Sequence, residues 1–304
     1  MRHESGFALA LVLWVMVLLS AVGISLGYAV RVETAGAIEM VERTQADALA
    51  AAGVRLAVLG VLATEPDQQW RPDGRLYDIA WAGANLRVTM RSESGKIDLN
   101  YAPAPLLAGL IEQVLPEAES ESLAAAVIDW RDSNDLATVG GAEAGDYRGA
   151  GRWGPANGPF QSVGELAMVL GFDAVAAAKL MPYLTVFSRN PRVDPRSADR
   201  VALAAVPGIG PELADQFVTQ REELMASGEL PDLAQLAAGS RYLDARSATR
   251  IITVLSTAKL VGGAAATLEA TVDVREYDRP YAFLDWRPVF EDSAEPALSA
   301  AEGG

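Results

Sequence analysis

The first sixty residues constrain the fold more than any other part of the chain. No charged side chain occurs from Phe7 to Val30. As an α-helix this stretch would be about 36 Å long, enough to cross a hydrocarbon layer of about 30 Å. It is also longer than the apolar core of a secretory signal peptide, which has about 7–15 residues. The sequence therefore predicts a transmembrane helix over residues 7–30.

The helix is predicted to continue well beyond the membrane. The chain has no proline before Pro66, and Ala, Leu, Val and Glu dominate the intervening residues. Leu49, Gly53 and Leu56 are spaced by three and four, which places them on one helix face. We therefore expect one helix over residues 7–62 with an amphipathic second half. The alternative is a plain membrane anchor with a helical stalk.

After Pro66 the pattern changes to strands, then to helices, then back to strands. Alternating stretches at 76–81 and 86–91 predict a hairpin, and a third short strand is expected at 96–99. The following residues are mostly typical of helices, and the last of these is predicted over Asp244–Ser256. Strand patterns return at 267–274 and 281–286.

This order predicts an α+β fold in which an all-α domain interrupts a pilin-like α/β domain with an antiparallel sheet. The expected divisions are residues 63–99 and 261–290 for the α/β domain and residues 100–260 for the inserted domain. Residues 291–304 are small and acidic, and we expect a disordered tail there.

An internal repeat lies within the predicted helical domain. Residues 96–102 resemble residues 192–198, and each segment precedes a helix rich in Leu and Ala and then a helix that carries Arg131 or Arg221. The first copy alone contains an excursion, from Asp132 to Gly158. Since the scaffold does not need such an insertion, we expect it to serve a local purpose.

The excursion begins in an acidic stretch. Residues 129–146 contain five carboxylates and a single cation, Arg131. Hard oxygen ligands on a flexible loop are typical of calcium sites. Leu136 and Ala137 stand where an EF-hand would need an oxygen ligand and a glycine, which excludes that motif. The sequence favours a calcium site of another kind, with a solvated acidic loop as the alternative.

The residue types argue against catalysis and against nucleic acid. The chain has no Cys, its single His is His3, and its net charge is −15. No nucleophile–base pair is available, so we do not expect an enzyme. Val206–Ala214 resembles the hairpin of a helix-hairpin-helix motif, but acidic residues outnumber basic ones around it, which disfavours phosphate binding.

Several motifs together resemble the K-type minor pseudopilins of the bacterial type II secretion system. The resemblance extends from Gly6 to about Trp286 and thus over nearly the whole chain. It rests on an apolar helix that follows Gly6-Phe7 and on the motifs at Gly95–Asn100, Asp129–Asp132, Gly141–Glu143, Asn157–Phe160 and Pro182–Val186.

The resemblance implies how the chain is processed and what it does. Prepilin peptidase would remove residues 1–6, cutting after Gly6 and leaving N-methylated Phe7 as the first residue. Most pilin-like subunits have Glu at the fifth mature position, where this chain has Leu11. A carboxylate in an apolar helix needs a charged partner, which in a pilin-like filament would be the N-terminal amine of a neighbouring subunit. A subunit at the filament tip has no subunit ahead of it and therefore no such amine to neutralise. The implied function is to cap the tip of the pseudopilus and help nucleate it, supporting export of folded proteins across the outer membrane.

The resemblance also implies partners and a location. The partners are the I-type and J-type minor pseudopilins, contacted through Leu49, Gly53 and Leu56, with the H-type subunit below them. The chain would cross the inner membrane once, with a cytoplasmic N-terminus and a periplasmic body. For structural calcium we expect Asp132, Asp135, Glu143 and Asp146 as ligands. Two alternatives remain: a membrane-tethered helix-hairpin-helix DNA-binding protein, and a plain anchored periplasmic protein.

Overall fold

The structure is a computed structural model that describes residues 5–65, 67–227, 229–245, 250–274 and 280–289. Residues 1–4 of the expected leader and the expected tail at 291–304 lie outside these ranges. In chain order the helices and strands are α1 (Ser5–Leu62), β1 (Asp73–Trp81), β2 (Ala84–Ser92), β3 (Ile97–Asp98), α2 (Ala104–Val114), α3 (Ser120–Arg131), α4 (Ala144–Gly149), α5 (Ala174–Leu180), β4 (Leu184–Thr185), α6 (Arg200–Ala204), α7 (Gly210–Ser227), β5 (Ile251–Leu260), β6 (Ala265–Asp273) and β7 (Ala282–Val289). Short 3₁₀ helices lie at Glu93–Gly95, Val163–Met168, Met181–Tyr183 and Ala234–Tyr242.

Helix α1 is continuous over 58 residues, which confirms the predicted long helix. It is the one helix in the described part of the chain that is long and apolar enough to cross a membrane. Its two halves differ in their surroundings. Residues 11–26 are exposed along their whole length, whereas the part from Glu33 to Leu62, with a mean hydropathy of 1.5, is partly buried against the sheet. The exposed apolar half is therefore the candidate membrane span.

The predicted α+β class and the antiparallel sheet are confirmed. Five antiparallel strands form a sheet in the order β1-β2-β5-β6-β7, so the chain leaves the sheet after β2 and returns to it at β5. The two short strands β3 and β4 pair in parallel, with Ile97 opposite Leu184. The helical body between β2 and β5 thus enters and leaves the sheet through two adjacent central strands.

The second half of α1 covers one face of the sheet. Val54, Ala57 and Val58 are buried against strand residues that include Val88 and Val254. At Gly53 the helix comes so close that a Cβ atom would overlap Ser256 Oγ. A glycine is needed at that position because the helix backbone lies directly on the strand.

This packing corrects the prediction of the partner face. Gly53 is buried against the chain's own sheet, and Leu49 and Leu56 are partly buried in the same core. The periodic stripe therefore marks an intramolecular contact. An apolar stripe on a helix predicts that something covers it, but the pattern does not identify the covering surface.

The predicted helix over Asp244–Ser256 is wrong at residues 251–256, and residues 246–249 of this prediction lie outside the described ranges. Residues 251–260 form β5 in the middle of the sheet, in register with β2 on one side and β6 on the other. Ile252, Val254 and Ala258 alternate as buried residues along it. The β-branched residues favour a strand, and the sheet therefore begins again at residue 251, before the boundary at 260 that was expected for the helical domain.

The helical body has a hydrophobic core separate from the core between α1 and the sheet. Leu106, Leu110, Phe172 and Phe217 are among its fully buried side chains. The junction between the two cores is polar: Thr253 Oγ1 donates to Glu93 Oε1 over 2.7 Å, and Lys96 Nζ lies 2.7 Å from the same oxygen.

Candidate cation site in the helical body

Two arginines hold the helical body in the same way. Arg131, at the end of α3, donates from Nη1 to Leu99 O and from Nη2 to Ala102 O. Arg221, on α7, donates from Nη1 to Pro195 O over 2.9 Å and to Ala198 O over 2.5 Å. Leu99 and Ala102 occupy the positions of Pro195 and Ala198 in the sequence repeat. Burial lowers the pKa of both guanidinium groups.

Asp98 and Asp194, which directly precede Leu99 and Pro195, also occupy equivalent positions in the two copies of the repeat. Asp98 Oδ1 accepts a hydrogen bond from the Asn100 N–H over 2.8 Å, and Asp194 Oδ1 accepts one from the Arg196 N–H over 2.9 Å. Burial raises the pKa of both carboxyls, although these hydrogen bonds oppose it. Each pair of Asp and Arg thus fixes the turn that leads into the next helix.

The excursion after Arg131 is closed by its own hydrogen bonds. Asp129, which is fully buried, accepts the Thr138 N–H at Oδ1 and Oδ2, over 3.1 and 3.0 Å. A Cβ atom at Gly141 would overlap Asp129 Oδ2, so only glycine fits beside this carboxylate. Asp129 therefore determines how the loop leaves α3 and where it returns.

Helix α4 attaches the excursion to the rest of the body. Asp146 Oδ2 accepts the Glu143 N–H over 2.9 Å, which caps the start of the helix. The hydroxyl of Tyr147, a fully buried residue, accepts the Leu170 N–H over 2.9 Å. At the far end, Asn100 accepts the Phe160 N–H over 2.7 Å and donates to Phe160 O over 2.9 Å. Both ends of the loop are consequently fixed.

Three buried oxygen atoms of the loop make no hydrogen bond of standard geometry, although the N–H groups at the start of α4 lie near Glu143. They are both carboxylate oxygens of Glu143, which is 7% exposed, and Oδ1 of Asn157. The Nδ2 group of Asn157 donates to Asp135 Oδ1 over 3.2 Å. Burial raises the pKa of Glu143, the charges of Asp129, Asp132 and Asp135 raise it further, and the Ala144 N–H opposes this shift. Unpaired buried acceptors surrounded by negative charge are unfavourable unless a cation joins them.

These positions can be compared with the predicted ligands. Asp132, Asp135 and Glu143 are close enough to interact electrostatically, whereas a carboxylate oxygen of Asp146 serves as the helix cap. Asn157 was missed as a member of the cluster, and Asp129 was counted in the acidic stretch but not among the predicted ligands. Within the described residues, no group of three Asp, Glu or His side chains is already arranged to hold a metal. The oxygen-only donor set does fit calcium, which accepts carboxylates and amide carbonyls in flexible geometry.

An aromatic cluster lies beside the acidic loop. The Trp130 ring centroid is 6.0 Å from that of Tyr147 and 5.9 Å from that of Phe160. Trp130 is nearly buried and its Nε1–H has no hydrogen-bond partner. Because Trp130 follows Asp129 directly, its fluorescence should report on changes in the loop.

The hairpin at Gly208–Gly210 offers little to a phosphate. Gly208 and Gly210 have positive φ angles of 89° and 72°, and α7 begins at Gly210. Glu212 lies in the first turn of α7, and Asp215 pairs with Arg200 over 3.0 Å. Negative charge at this helix start opposes a bound anion.

Comparison with known proteins relates one part of the chain to a family. Residues 88–189, which contain the first arginine, the acidic loop and both ends of the excursion, match the family model for type II secretion system protein K. Residues 88–189 of the chain thus belong to the protein K family. This family is one of non-enzymatic pseudopilins. Among curated protein sequences, no relative of the chain is found.

A solved structure shares the fold. A chain in the crystal structure of the GspK-GspI-GspJ complex from enterotoxigenic Escherichia coli aligns with a TM-score of 0.59 and 18% sequence identity. The alignment covers 83% of this chain and 98% of that chain. At this identity the match shows a common fold and extends the comparison well beyond the residues that the family model matches.

Proposed function

We propose that the chain is a minor pseudopilin that caps the tip of the type II secretion pseudopilus and helps to nucleate it. In this role it supports the export of folded proteins across the outer membrane. The observation that carries the proposal is the protein K match over residues 88–189, which begins in β2 and lies mostly in the helical body. That body extends from the central strands of the sheet and would obstruct a further subunit stacked above it.

The proposed topology is a single pass through the inner membrane, with a cytoplasmic N-terminus and a periplasmic body. The exposed apolar half of α1 supports it, because residues 11–26 contain no charged side chain. Prepilin peptidase would cleave after Gly6 and leave methylated Phe7 first. The mature helix would then have Leu11 where most pilin-like subunits have Glu. For a subunit with no neighbouring amine to neutralise, a leucine in the membrane costs less free energy than an unpaired carboxylate.

The proposed partners are the I-type and J-type minor pseudopilins, with the H-type subunit below them. The solved structure with the common fold is that of a GspK-GspI-GspJ complex. Since Gly53 faces the sheet, the partners must use another side of α1. Ala48, Arg55 and Leu59 are exposed on the helix and are available for this contact.

We also propose that a calcium ion orders the acidic loop. Glu143, Asn157, Asp132 and Asp135 would hold it, with Asp129 keeping the loop closed through its bonds to Thr138. Asp146 is left out of this set because it caps α4. The unpaired oxygens of Glu143 and Asn157 support the proposal. The role of the ion is structural: it would supply positive charge where the carboxylates repel one another.

The corresponding contacts of Arg131 and Arg221 support a further interpretation of the body. We infer that it contains two copies of one helix-hairpin-helix-like unit and that the excursion was added to the first. A DNA-binding role is not favoured, since Glu212 occupies the start of α7, where a phosphate would bind.

The test is the intact mass of the full-length chain, produced with active and with inactive prepilin peptidase, followed by co-purification with the I-type and J-type subunits. We expect active peptidase alone to remove residues 1–6 and the mature chain to retain both subunits. An intact leader together with no association would contradict the proposal and reduce α1 to a plain anchor.

A further inference from the structure

Helix α1 covers the sheet unevenly. It packs mainly on the three central strands, β2, β5 and β6, and much less on the edge strands β1 and β7. The register places Tyr77 of β1 beside Val88, and Trp286 of β7 beside Ala270, with each neighbour buried in the core beneath α1. Both edges therefore present aromatic side chains on the side of the sheet that carries α1.

The chain itself covers the β1 edge. Trp70 stacks on Tyr77 with ring centroids 4.1 Å apart and nearly parallel planes. The same indole lies against Gly60 of α1, where a Cβ atom would overlap it. The segment after α1 thus folds back and fills the groove between the helix and β1.

The β7 edge has a more open arrangement. Phe283 and Trp286 remain 38% and 39% exposed, and their rings meet edge to face with centroids 4.8 Å apart. On the neighbouring side of α1, Leu59 is 63% exposed. An exposed leucine one turn from Arg55 and two half-exposed aromatic rings form a patch of the kind that marks interaction surfaces. We call these four residues, Arg55, Leu59, Phe283 and Trp286, the β7 flank.

Arg55 gives the β7 flank its charge. Its guanidinium lies over the Trp286 ring, 5.5 Å from the centroid, and Nη1 donates to Ala51 O over 3.0 Å. Among the residues that the structure describes, no carboxylate lies within 4.0 Å of it. A cation held over an aromatic ring without a carboxylate is ready to receive one from a partner.

We propose that the β7 flank docks an amphipathic helix of another pseudopilin, with aliphatic side chains on Phe283, Trp286 and Leu59 and a carboxylate on Arg55. The groove between α1 and an edge strand fits a helix that lies alongside α1. A strand added to β7 is disfavoured, because Pro288 lacks an N–H and charged Arg287 lies beside it. This inference rests on the proposed function and identifies which side of α1 serves it.

The test compares substitutions on the two edges of the full-length chain in detergent micelles. Arg55→Glu and Leu59→Glu change exposed side chains, so folding should survive, and the thermal midpoint checks this. Trp81→Ala is the matched control, since Trp81 is 46% exposed on the β1 edge. The probes are the I-type and J-type subunits, and the measurement is the dissociation constant by biolayer interferometry.

We expect Arg55→Glu and Leu59→Glu each to weaken binding of one of the two subunits at least tenfold, about 1.4 kcal/mol, and Trp81→Ala to change it less than twofold. Equal binding by all variants would overturn the β7 flank while leaving the partner proposal intact. No binding by the wild type would overturn both. Self-association of the wild type that Arg55→Glu abolishes, with subunit binding unchanged, would assign the β7 flank to a second copy of the chain.

Discussion

The helical body contains two regions that share one set of contacts and differ in one insertion. In both, an arginine that is buried (Arg221) or partly buried (Arg131) donates to two carbonyl groups of the turn at the start of the repeat, and a buried aspartate accepts the N–H two residues later. The first region then runs through residues 132–158 before it reaches the 3₁₀ helix at Val163–Met168. In the second, α7 leads almost directly to the 3₁₀ helix at Ala234–Tyr242.

The two regions differ sharply in how well their buried polar atoms are satisfied. Within the described part of the helical body, the buried side-chain atoms without a hydrogen-bond partner belong to Trp130, Glu143 and Asn157, all in the first region. The second region shows that the scaffold folds without the excursion. The excursion and its unpaired oxygens are therefore not needed for folding of the scaffold. Oxygen atoms of this kind favour the binding of a cation.

The largest effect is expected from the arginines that the two regions share. Arg131→Met and Arg221→Met should each destabilise the protein by about 3 kcal/mol, because each leaves two carbonyl groups without their charged donor. Chemical denaturation of the two variants measures this. Losses that differ by more than a factor of two would show that the two arginines are not equivalent.

Calcium should stabilise the folded protein by binding to the first region only. At a free concentration of 100 times the dissociation constant, the ion should add about 2.7 kcal/mol to the free energy of unfolding of the wild type. Glu143→Gln should lose most of this gain, and Glu223→Gln, an exposed change on α7, should keep it. Thermal melts with calcium or with a chelator provide the measurement, and an equal gain in both variants would speak against Glu143 as a ligand.

A smaller effect is expected at Gly141. Gly141→Ala places a methyl group against Asp129 Oδ2 and should cost about 1–3 kcal/mol. Gly145→Ala is the matched control, since nothing lies within 4 Å of its Cβ position and alanine favours helix α4 by about 0.5–1 kcal/mol. If the two variants unfold at the same denaturant concentration, Asp129 does not hold the loop.

The smallest effect is a pH dependence. Burial raises the pKa of Glu143, so the folded protein binds more protons at this site than the unfolded chain, and calcium-free stability should fall as the pH rises from the unfolded pKa through the folded one. Asp98 and Asp194 shift in the same direction. The difference between wild type and Glu143→Gln isolates Glu143. A difference that does not vary between about pH 4 and pH 7 would contradict this assignment.

The same comparison shows what the sequence could predict. The two arginines and the excursion were visible in the repeat, because residue types and spacing correspond between the copies. Asn157 was not visible as a possible ligand, since it is neutral and fourteen residues from Glu143. Asp146 lies three residues after Glu143, a spacing that suits a helix cap as well as a ligand.

Two errors outside the helical body have physical reasons of their own. The residues at 251–260 lie at the junction of the body and the sheet, and a short apolar run there does not distinguish helix from strand. The stripe at Leu49, Gly53 and Leu56 was correctly placed on one face, but only the tertiary fold shows that the chain's own sheet covers it.

Amide hydrogen exchange of the full-length chain, measured with calcium and with a chelator, tests the central claim most directly. The segment at 195–236 serves as an internal reference for the segment at 132–158. We predict that calcium slows exchange within residues 132–158 and leaves the reference unchanged. Identical exchange of residues 132–158 under both conditions, or equal slowing in the two segments, would contradict the account.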